Sequence, residues 1–352
     1  MRPDRGAGPQ RAEEVALGRA FLRRHPTVDL HSHPGRFFMA GSPETAELAT
    51  RFPPAEVGEA VLGITEHGPT AVAFATVGDY AVLGGGPQGI EARRPFTGTE
   101  AYDDHLRQLA VLDAVISGSD LRPVSCAAGI REAHWNGHPV ALTTVEGGDF
   151  IESDPGRIGE ARTRGVRSIT LVHFRPNRIG TPQTIEGGAG LSAFGADVVR
   201  EMNRCGVLID LSHADFSTTE QAVETSGKPC VLSHSNVWFG GARHRRLVSG
   251  DHARLVTSAG GVVGAVPAGY AQATFGDYID TVLRMIDLLG AEHVAIGTDM
   301  DFTYQPVLDG YQAWPAIPGA LLARGVSEPE AALVLGGNVL RLLDETNPIP
   351  AG

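Results

Sequence analysis

Short apolar runs alternate with amphipathic segments along most of this chain. Eight of the runs are partly β-branched and apolar at nearly every position, which is typical of parallel strands buried on both faces. We predict strands at residues 28–33, 71–76, 140–146, 168–173, 207–213, 230–234, 261–266 and 294–299. Helical spacing predicts helices at 197–206, ended by Gly206, and at 280–289, ended by Gly290. The pattern Ser-Thr-Thr-Glu at 217–220 predicts a capping box that begins another helix.

The order of these runs favours an α/β fold, a (β/α)8 or TIM barrel, over an open doubly wound sheet. Polar residues at the carboxyl ends of six predicted strands decide between the two, because such ends converge only in a barrel. They are His33, Glu146, His173, His213, His234 and Asp299. We expect one barrel domain over 27–345, after a partly helical segment, 1–26, and before a tail, 346–352. Stretches rich in Gly and Pro at 81–100 and 181–190 predict loops, the first over the barrel mouth.

Two histidines close the first predicted strand. Side chains alternate in direction along a strand, so His31 and His33 point to the same place. Imidazole nitrogens and carboxylate oxygens are the usual zinc ligands besides cysteine. The further candidate ligands, each at another strand end, are Glu146, His213, His234 and Asp299. A lone histidine at a strand end is more often structural, but coincidence explains the whole set poorly, and we predict a metal site. Asp210, in mid-strand, and His293, at the opposite end of its strand, are expected to be structural.

Composition and charge limit the kinds of molecule that we expect the protein to bind. The net charge of −12 and the pI of about 5.5 argue against binding to nucleic acid or an anionic membrane. No window reaches the roughly 18 consecutive apolar residues of a membrane span, and the first residues lack the apolar run of a signal peptide. Three cysteines without CxxC spacing do not predict a disulfide framework. We expect a cytoplasmic protein that binds a small-molecule substrate.

Lysine is nearly absent, and this bears on how two metals could be bridged. Many two-metal barrel hydrolases use a carboxylated lysine at the end of strand four, where this chain has His173. Its only lysine, Lys228, precedes the sixth predicted strand and lies at the far face of the barrel. A lysine bridge is therefore excluded, and Glu146 is the predicted bridging ligand.

Several stretches resemble the renal (membrane) dipeptidase family of zinc peptidases. The resemblance runs from about Thr27 to Leu343 and is densest over 190–213 and 230–236. Further matching stretches are 145–148, 169–173, 293–299 and 337–341. The resemblance implies a barrel with a binuclear zinc site, that is, two zinc ions per chain. Members often form dimers, so it also leaves a homodimer open.

Carried over position by position, the family pattern implies a role for each site residue. The implied zinc ligands are His31, His33, Glu146 and Asp299 for one ion, and Glu146, His213 and His234 for the other. His173 matches a histidine that contacts the scissile carbonyl. Arg245 matches an arginine that binds the substrate carboxylate, with Arg243 and Arg246 as alternatives because the register there is open by a residue or two.

Position 33 departs from the family pattern. The family usually has His-x-Asp in the first strand, whereas this chain has His-x-His. Imidazole in place of carboxylate removes one negative charge beside the metals. We therefore hypothesise that the bound water is more acidic than in relatives, or that occupancy of the two metal positions differs. Metal analysis of wild type and His33→Asp tests this hypothesis, and identical stoichiometry and pH profiles would rule it out.

The pattern as a whole predicts an enzyme, a zinc-dependent dipeptidase that uses a hydroxide held between two metals. Asp299 would transfer the proton and His173 would stabilise the oxyanion. The main alternative is another metal hydrolase of the amidohydrolase type (a lactonase, a deaminase or an N-acyl amino acid amidase), in which an HxH pair is more usual. A binding protein whose metal is structural or lost is the remaining alternative. The identity of the metal and the preferred substrate side chains stay open.

Overall fold

Strands and helices alternate through residues 9–42, 56–86 and 89–346, the parts of the chain that this computed structural model describes. The strands are β1 (Val28–Ser32), β2 (Ala71–Val77), β3 (Leu83–Gly86), β4 (Gly89–Ala92), β5 (Arg122–Val124), β6 (Val140–Glu146), β7 (Ser168–Thr170), β8 (Leu208–Asp210), β9 (Val231–Leu232), β10 (Val262–Ala265) and β11 (Val294–Ile296). The helices are α1 (Pro9–Leu22), α2 (Val57–His67), α3 (Glu100–Ser117), α4 (Ala127–Asn136), α5 (Arg157–Thr163), α6 (Ala193–Cys205), α7 (Phe216–Thr225), α8 (Gly250–Ser258), α9 (Phe275–Leu289), α10 (Ala316–Ala323), α11 (Glu328–Ala332) and α12 (Asn338–Thr346).

Parallel strands form a nearly closed barrel. Within the described residues, eight strands follow one another in the order β1, β2, β6, β7, β8, β9, β10 and β11. The backbone N–H of His33 donates to the carbonyl of Met300 (3.0 Å), and that of Asp299 donates to the carbonyl of His31 (2.8 Å). These bonds join β1 to the segment after β11. The predicted (β/α)8 barrel is confirmed.

Apolar side chains fill the spaces on both faces of the barrel strands. Every residue of β2 and of β6 is buried. Along β6, Val140 and Leu142 belong to one apolar cluster, whereas Ala141 and Val145 belong to a second, larger one. This alternation follows from the two-residue period of a strand, and it fixes which residues face the barrel interior and which face the helices.

Two of the predicted helix ends are confirmed, and one predicted helix start is wrong. Gly206 ends α6 with φ of 67°, a left-handed conformation that glycine adopts without strain, and Gly290 follows α9. The capping box predicted at 217–220 is wrong. The carboxylate of Asp215 accepts the N–H of Thr218 and already caps α7 there.

Most of the mouth strands end earlier than predicted. β7, β8, β9 and β11 end two to three residues before the polar residues that were expected to close them. The chain turns at these ends: His213 and Asp299 have positive φ values of 68° and 50°, which are uncommon for residues other than glycine. His33, His213, His234 and Asp299 therefore project from the segments that follow the strands, whereas His31 and Glu146 lie within strands.

Other predictions have mixed outcomes. The stretch 81–100, predicted as a loop, contains the antiparallel hairpin of β3 and β4, whereas 181–190 contains no helix or strand. Helix α1 lies in the predicted N-terminal segment, but residues 1–8 and 347–352 are outside the described residues, and the domain boundaries stay a prediction. The cysteines are free, as expected. None of the helices in the described residues is both long and apolar enough to span a bilayer.

Candidate metal centre

The His-x-His pair at the end of β1 converges as the strand geometry requires. His31 and His33 are both buried, and their Nε2 atoms lie 3.2 Å apart. His33 follows the last residue of β1, and its Nδ1 lies 2.8 Å from the carbonyl oxygen of Ala75. A carbonyl only accepts hydrogen bonds, so Nδ1 donates. The Nε2 lone pair of neutral His33 is then free to bind a metal.

Glu146, the last residue of β6, lies at the centre of the mouth. Its Oε1 atom is 2.9 Å from Nε2 of His213, 3.2 Å from that of His234 and 3.6 Å from that of His31. Its Oε2 atom lies 3.3 Å from Nε2 of His33 and of His173. The structure thus brings predicted residues from distant strand ends around one buried carboxylate.

Glu146 belongs to two groups that are each compact enough to hold a metal ion. The first group is His31, His33 and Glu146, and the second is Glu146, His213 and His234. Two metals about 3.5–4 Å apart require a bridging ligand of this kind. The shared carboxylate matches that requirement.

Asp299 lies beside the first group, on its more accessible side. Its Oδ1 atom is 3.4 Å from Nε2 of His33, and its side chain is 16% exposed, against 2% for Glu146. Asp299 can therefore reach both a metal and a molecule in the mouth.

His173 also contacts Glu146. Its Nε2 faces Glu146, and its Nδ1 lies 2.7 Å from Oδ1 of Asp79. The other oxygen of Asp79 accepts the N–H of Phe174 at 3.1 Å. Sequence reasoning missed Asp79, although its position two residues after β2 is the kind of strand end that supplied the other candidates.

The basic segment 243–246 presents Arg246, and not Arg245, to the site. Arg246 is 8% exposed and one terminal nitrogen lies 3.4 Å from the carbonyl oxygen of His234. The charge of Arg246 lowers the pKa of His213, second only to burial. Arg245 is exposed and points to the carbonyl oxygen of Thr184, 3.5 Å away, while Arg243 lies over the Trp238 ring.

Burial and the neighbouring charges shift the pKa values of the site residues in opposite directions. Burial opposes ionisation of Glu146, but charge interactions with the neighbouring imidazoles, His173 first, and hydrogen bonds with His213 and His234 outweigh it and hold the Glu146 pKa well below its ordinary value. Burial also opposes protonation of His33, yet the carboxylates of Asp299 and Glu146 raise the His33 pKa to about 9. Burial lowers the pKa of His234 to about 4. Imidazoles this close to one carboxylate compete for protons, and a divalent cation would remove that competition.

The donor atoms fit metal ions of the zinc type. Nε2 of His213 and Nε2 of His234 face each other at 3.0 Å, as those of His31 and His33 do at 3.2 Å. Within the described part of the chain, Oε2 of Glu146 makes no hydrogen bond although it is fully buried. Facing imidazole nitrogens and a buried carboxylate oxygen without a hydrogen bond are the arrangement that a bound cation satisfies.

A sequence model of the membrane dipeptidase family, peptidase family M19, matches residues 70–351. The chain belongs to this family. The match begins just before β2, so His31 and His33 lie outside it.

Two curated relatives carry the word dipeptidase in their names. Dipeptidase verJ of Clonostachys rogersoniana is 32% identical over 228 residues, 62% of this chain and 58% of that protein. An uncharacterized dipeptidase of Schizosaccharomyces pombe is 30% identical over 267 residues, 71% of this chain and 64% of that protein. The chain thus spans about three fifths of the length of each.

Solved structures support the fold. An amidohydrolase of Pseudomonas aeruginosa superposes with a TM-score of 0.76 at 20% identity, over 94% of this chain and 98% of that one. A metallopeptidase of Rhodobacter sphaeroides, bound to a phosphinate mimic of L-Ala-D-Ala, superposes with a TM-score of 0.75 at 22% identity, over 92% and 99%. At these identities the likeness establishes the shared barrel.

Proposed function

We propose that this chain is a zinc-dependent dipeptidase with two zinc ions at the barrel mouth. The observation that carries the proposal is the position of Glu146, whose carboxylate belongs to both candidate metal groups. The proposed ligands are His31, His33, Glu146 and Asp299 for one ion, and Glu146, His213 and His234 for the other. Zinc ions bound there would polarise the scissile carbonyl and supply a hydroxide nucleophile by lowering the pKa of water toward 7.

Oxyanion stabilisation and proton transfer are assigned to His173 and Asp299. His173, held at Nδ1 by Asp79, directs Nε2 toward the mouth and would donate to the developing oxyanion. Asp299 is the more exposed carboxylate of the cluster and would take the proton from water and pass it to the leaving amine.

Arg246 is the proposed partner of the free carboxylate of a dipeptide. Its guanidinium lies next to the backbone of His234, and its Nη1 atom makes no hydrogen bond within the described residues. A buried guanidinium binds a carboxylate through charge-assisted hydrogen bonds. An arginine at a fixed distance from the metal ligands would favour substrates of two residues.

A second candidate, another amidohydrolase-type hydrolase, is favoured by one observation. His33 occupies the second position of the β1 pair, where the dipeptidase pattern has aspartate. A lactonase or a deaminase would use the same metal centre without requiring Arg246 to bind a carboxylate, whereas an N-acyl amino acid amidase would share that requirement with a dipeptidase.

The test is a substrate panel with purified protein, first stripped with a chelator and then loaded with zinc. The panel contains L-Ala-L-Ala, L-Ala-D-Ala, their carboxyl-terminal amides, N-acetyl-alanine and a lactone. We expect metal-dependent cleavage of a dipeptide and weaker cleavage of its amide. Turnover of the lactone or N-acetyl-alanine alone would overturn the dipeptidase proposal in favour of the second candidate.

A further inference from the structure

A single hydroxyl lies between one candidate ligand of each metal. Oγ of Ser233 is 2.9 Å from Nδ1 of His234 and 3.3 Å from Nδ1 of His31. The same Oγ lies 2.6 Å from Oδ2 of Asp210. All four residues are buried. The two imidazole rings stack with their centroids 3.9 Å apart, which brings their Nδ1 atoms to one side.

The directions of these hydrogen bonds follow from the chemistry of each group. An ionised carboxylate only accepts, so the Ser233 hydroxyl donates its one hydrogen to Asp210. The lone pairs of Oγ then accept, and His31 and His234 both direct an Nδ1–H toward this oxygen, His234 at the shorter distance. The Ser212 hydroxyl, 3.1 Å away, can reach the same oxygen only as a donor. The Nε2 lone pairs of His31 and His234 are left free for metal ions.

Asp210 is fully engaged in holding this hydroxyl. Its Oδ1 accepts the backbone N–H groups of Ser212 (2.9 Å) and Ser233 (3.0 Å). Its Oδ2 accepts the hydroxyls of Ser233 and Thr170, each at 2.6 Å. Although Asp210 lies close to His31 and His234, its oxygens already have four donors. It therefore anchors Ser233 and is not itself a ligand.

The other two histidine ligands do not share this contact. Nδ1 of His33 donates to the carbonyl of Ala75, and Nδ1 of His213 has no hydrogen-bond partner within the described ranges. The Ser212 hydroxyl, 3.1 Å from Oγ of Ser233, accepts the backbone N–H of His234, and no hydrogen bond joins it to either imidazole within the described residues. Each metal position thus has one histidine attached to Ser233 and one that is independent of it.

We propose that Ser233 is a positioning residue that orients one ligand of each metal at once, so that its loss weakens both positions together. The inference rests on the proposed metal centre, but not on the identity of the substrate. If every ligand were oriented independently, removal of one partner would weaken only one metal. Because the Ser233 hydroxyl contacts a ligand of each metal, its removal should weaken binding of both metals.

The experiment is a zinc titration in competition with a chromophoric chelator, which yields a dissociation constant for each of the two ions. In Ser233→Ala, we expect both constants to rise by about 10-fold or more, the effect typical of losing a partner of a metal ligand. Thr170→Val is the matched control. It removes another hydroxyl from the same oxygen of Asp210 but leaves Ser233 and both imidazoles connected, so both constants should stay within that 10-fold margin.

A second pair of variants separates metal binding from folding. Ser233→Thr and Ser233→Val have the same shape and differ only in the hydroxyl, and circular dichroism checks that each is folded. We expect Thr to keep both affinities and Val to lose both. Equal affinities in the pair, or a rise in one constant only in Ser233→Ala, would overturn the proposal. If the wild-type protein binds no zinc, the proposed metal centre is overturned as well. If Ser233→Ala weakens both sites but the wild-type protein cleaves no dipeptide, this inference stands and only the proposed activity is rejected.

Discussion

The barrel mouth and the shell of helices around the barrel bury opposite kinds of side chain. At the mouth, Glu146 and His173 are both buried, and they lie against other ionisable groups. In the shell, Trp314 and Leu321 are fully buried among apolar neighbours. Burial of apolar surface stabilises the fold by about 25 cal/mol for each Å², whereas burial of an ionisable group costs free energy unless it is paired.

The difference shows which region supports folding and which supports chemistry. The mouth concentrates imidazoles around one carboxylate and includes two non-glycine residues with positive φ, His213 and Asp299. Such an arrangement is maintained only by the rigid strands and helices below it. Changes at the mouth should therefore abolish activity with modest effects on stability, and changes in the shell should do the reverse.

Removal of the shared carboxylate should have the largest effect. We expect Glu146→Ala to abolish hydrolysis and to lose at least one of the two metals, because both proposed positions use this residue. Activity assays and elemental analysis of the purified variant check this. Glu132→Ala, an exposed carboxylate on α4, is the control. Full turnover in Glu146→Ala would reject the assignment.

A cavity created in the shell of helices should lower stability without loss of metal. Leu321 on α10 is fully buried, and Leu321→Ala should lower the free energy of unfolding by about 2–5 kcal/mol. Leu321→Met, which conserves volume, should cost less than about 1.5 kcal/mol. Denaturant titration measures both. Loss of metal from folded Leu321→Ala at a temperature below its unfolding transition would contradict the separation of the two regions.

Arg246 tests the mouth at a residue that is not a proposed metal ligand. A hydrogen bond to a charged group contributes about 1.5–3 kcal/mol, so Arg246→Ala should lower kcat/KM for a dipeptide by about 10- to 150-fold. The amide of the same dipeptide lacks the carboxylate and should lose much less. Arg245→Ala and Arg243→Ala are controls, since both side chains are exposed. A larger loss of kcat/KM in Arg245→Ala than in Arg246→Ala would contradict this choice. It would support Arg245 as the arginine that binds the substrate carboxylate.

A histidine in the shell should have the smallest effect near neutral pH. His105 on α3 stacks on Phe150 at 3.9 Å, and burial lowers its pKa from 6.5 to about 3. Between these values the unfolded chain binds more protons, so this group reduces stability as the pH falls below 6.5, by at most about 1.4 kcal/mol for each pH unit. His105→Phe should lose less stability on acidification than wild type, measured by denaturant titration from pH 7 to 4. Identical slopes in His105→Phe, wild type and the exposed control His138→Gln would contradict the assignment.

Local patterns in the sequence were enough to locate the barrel and most of the candidate centre. The apolar runs identify the strands, and the period of two residues places His31 and His33 on one side. Glu146 and His234 follow from their positions at strand ends. These features depend on neighbours close in sequence, which is why they can be predicted.

Features that depend on tertiary packing could not be predicted in the same way. Asp79 is identified only when the end of β2 is seen beside His173. The choice of Arg246 over Arg245 depends on how one loop crosses the mouth. The role of Ser233 requires knowing that His31 and His234, 203 residues apart in sequence, stack against each other. Likewise, Asp215 caps α7 because its side chain reaches a backbone N–H, a geometric fact that the residue pattern did not decide.

The most direct test of the central claim is anomalous diffraction at the zinc absorption edge from crystals of the zinc-loaded protein. The account predicts two peaks about 3.5–4 Å apart, one beside His31 and His33 and the other beside His213 and His234, with Glu146 between them. A mouth without peaks, or a single peak held by His31, Asp210 and His234, would contradict it.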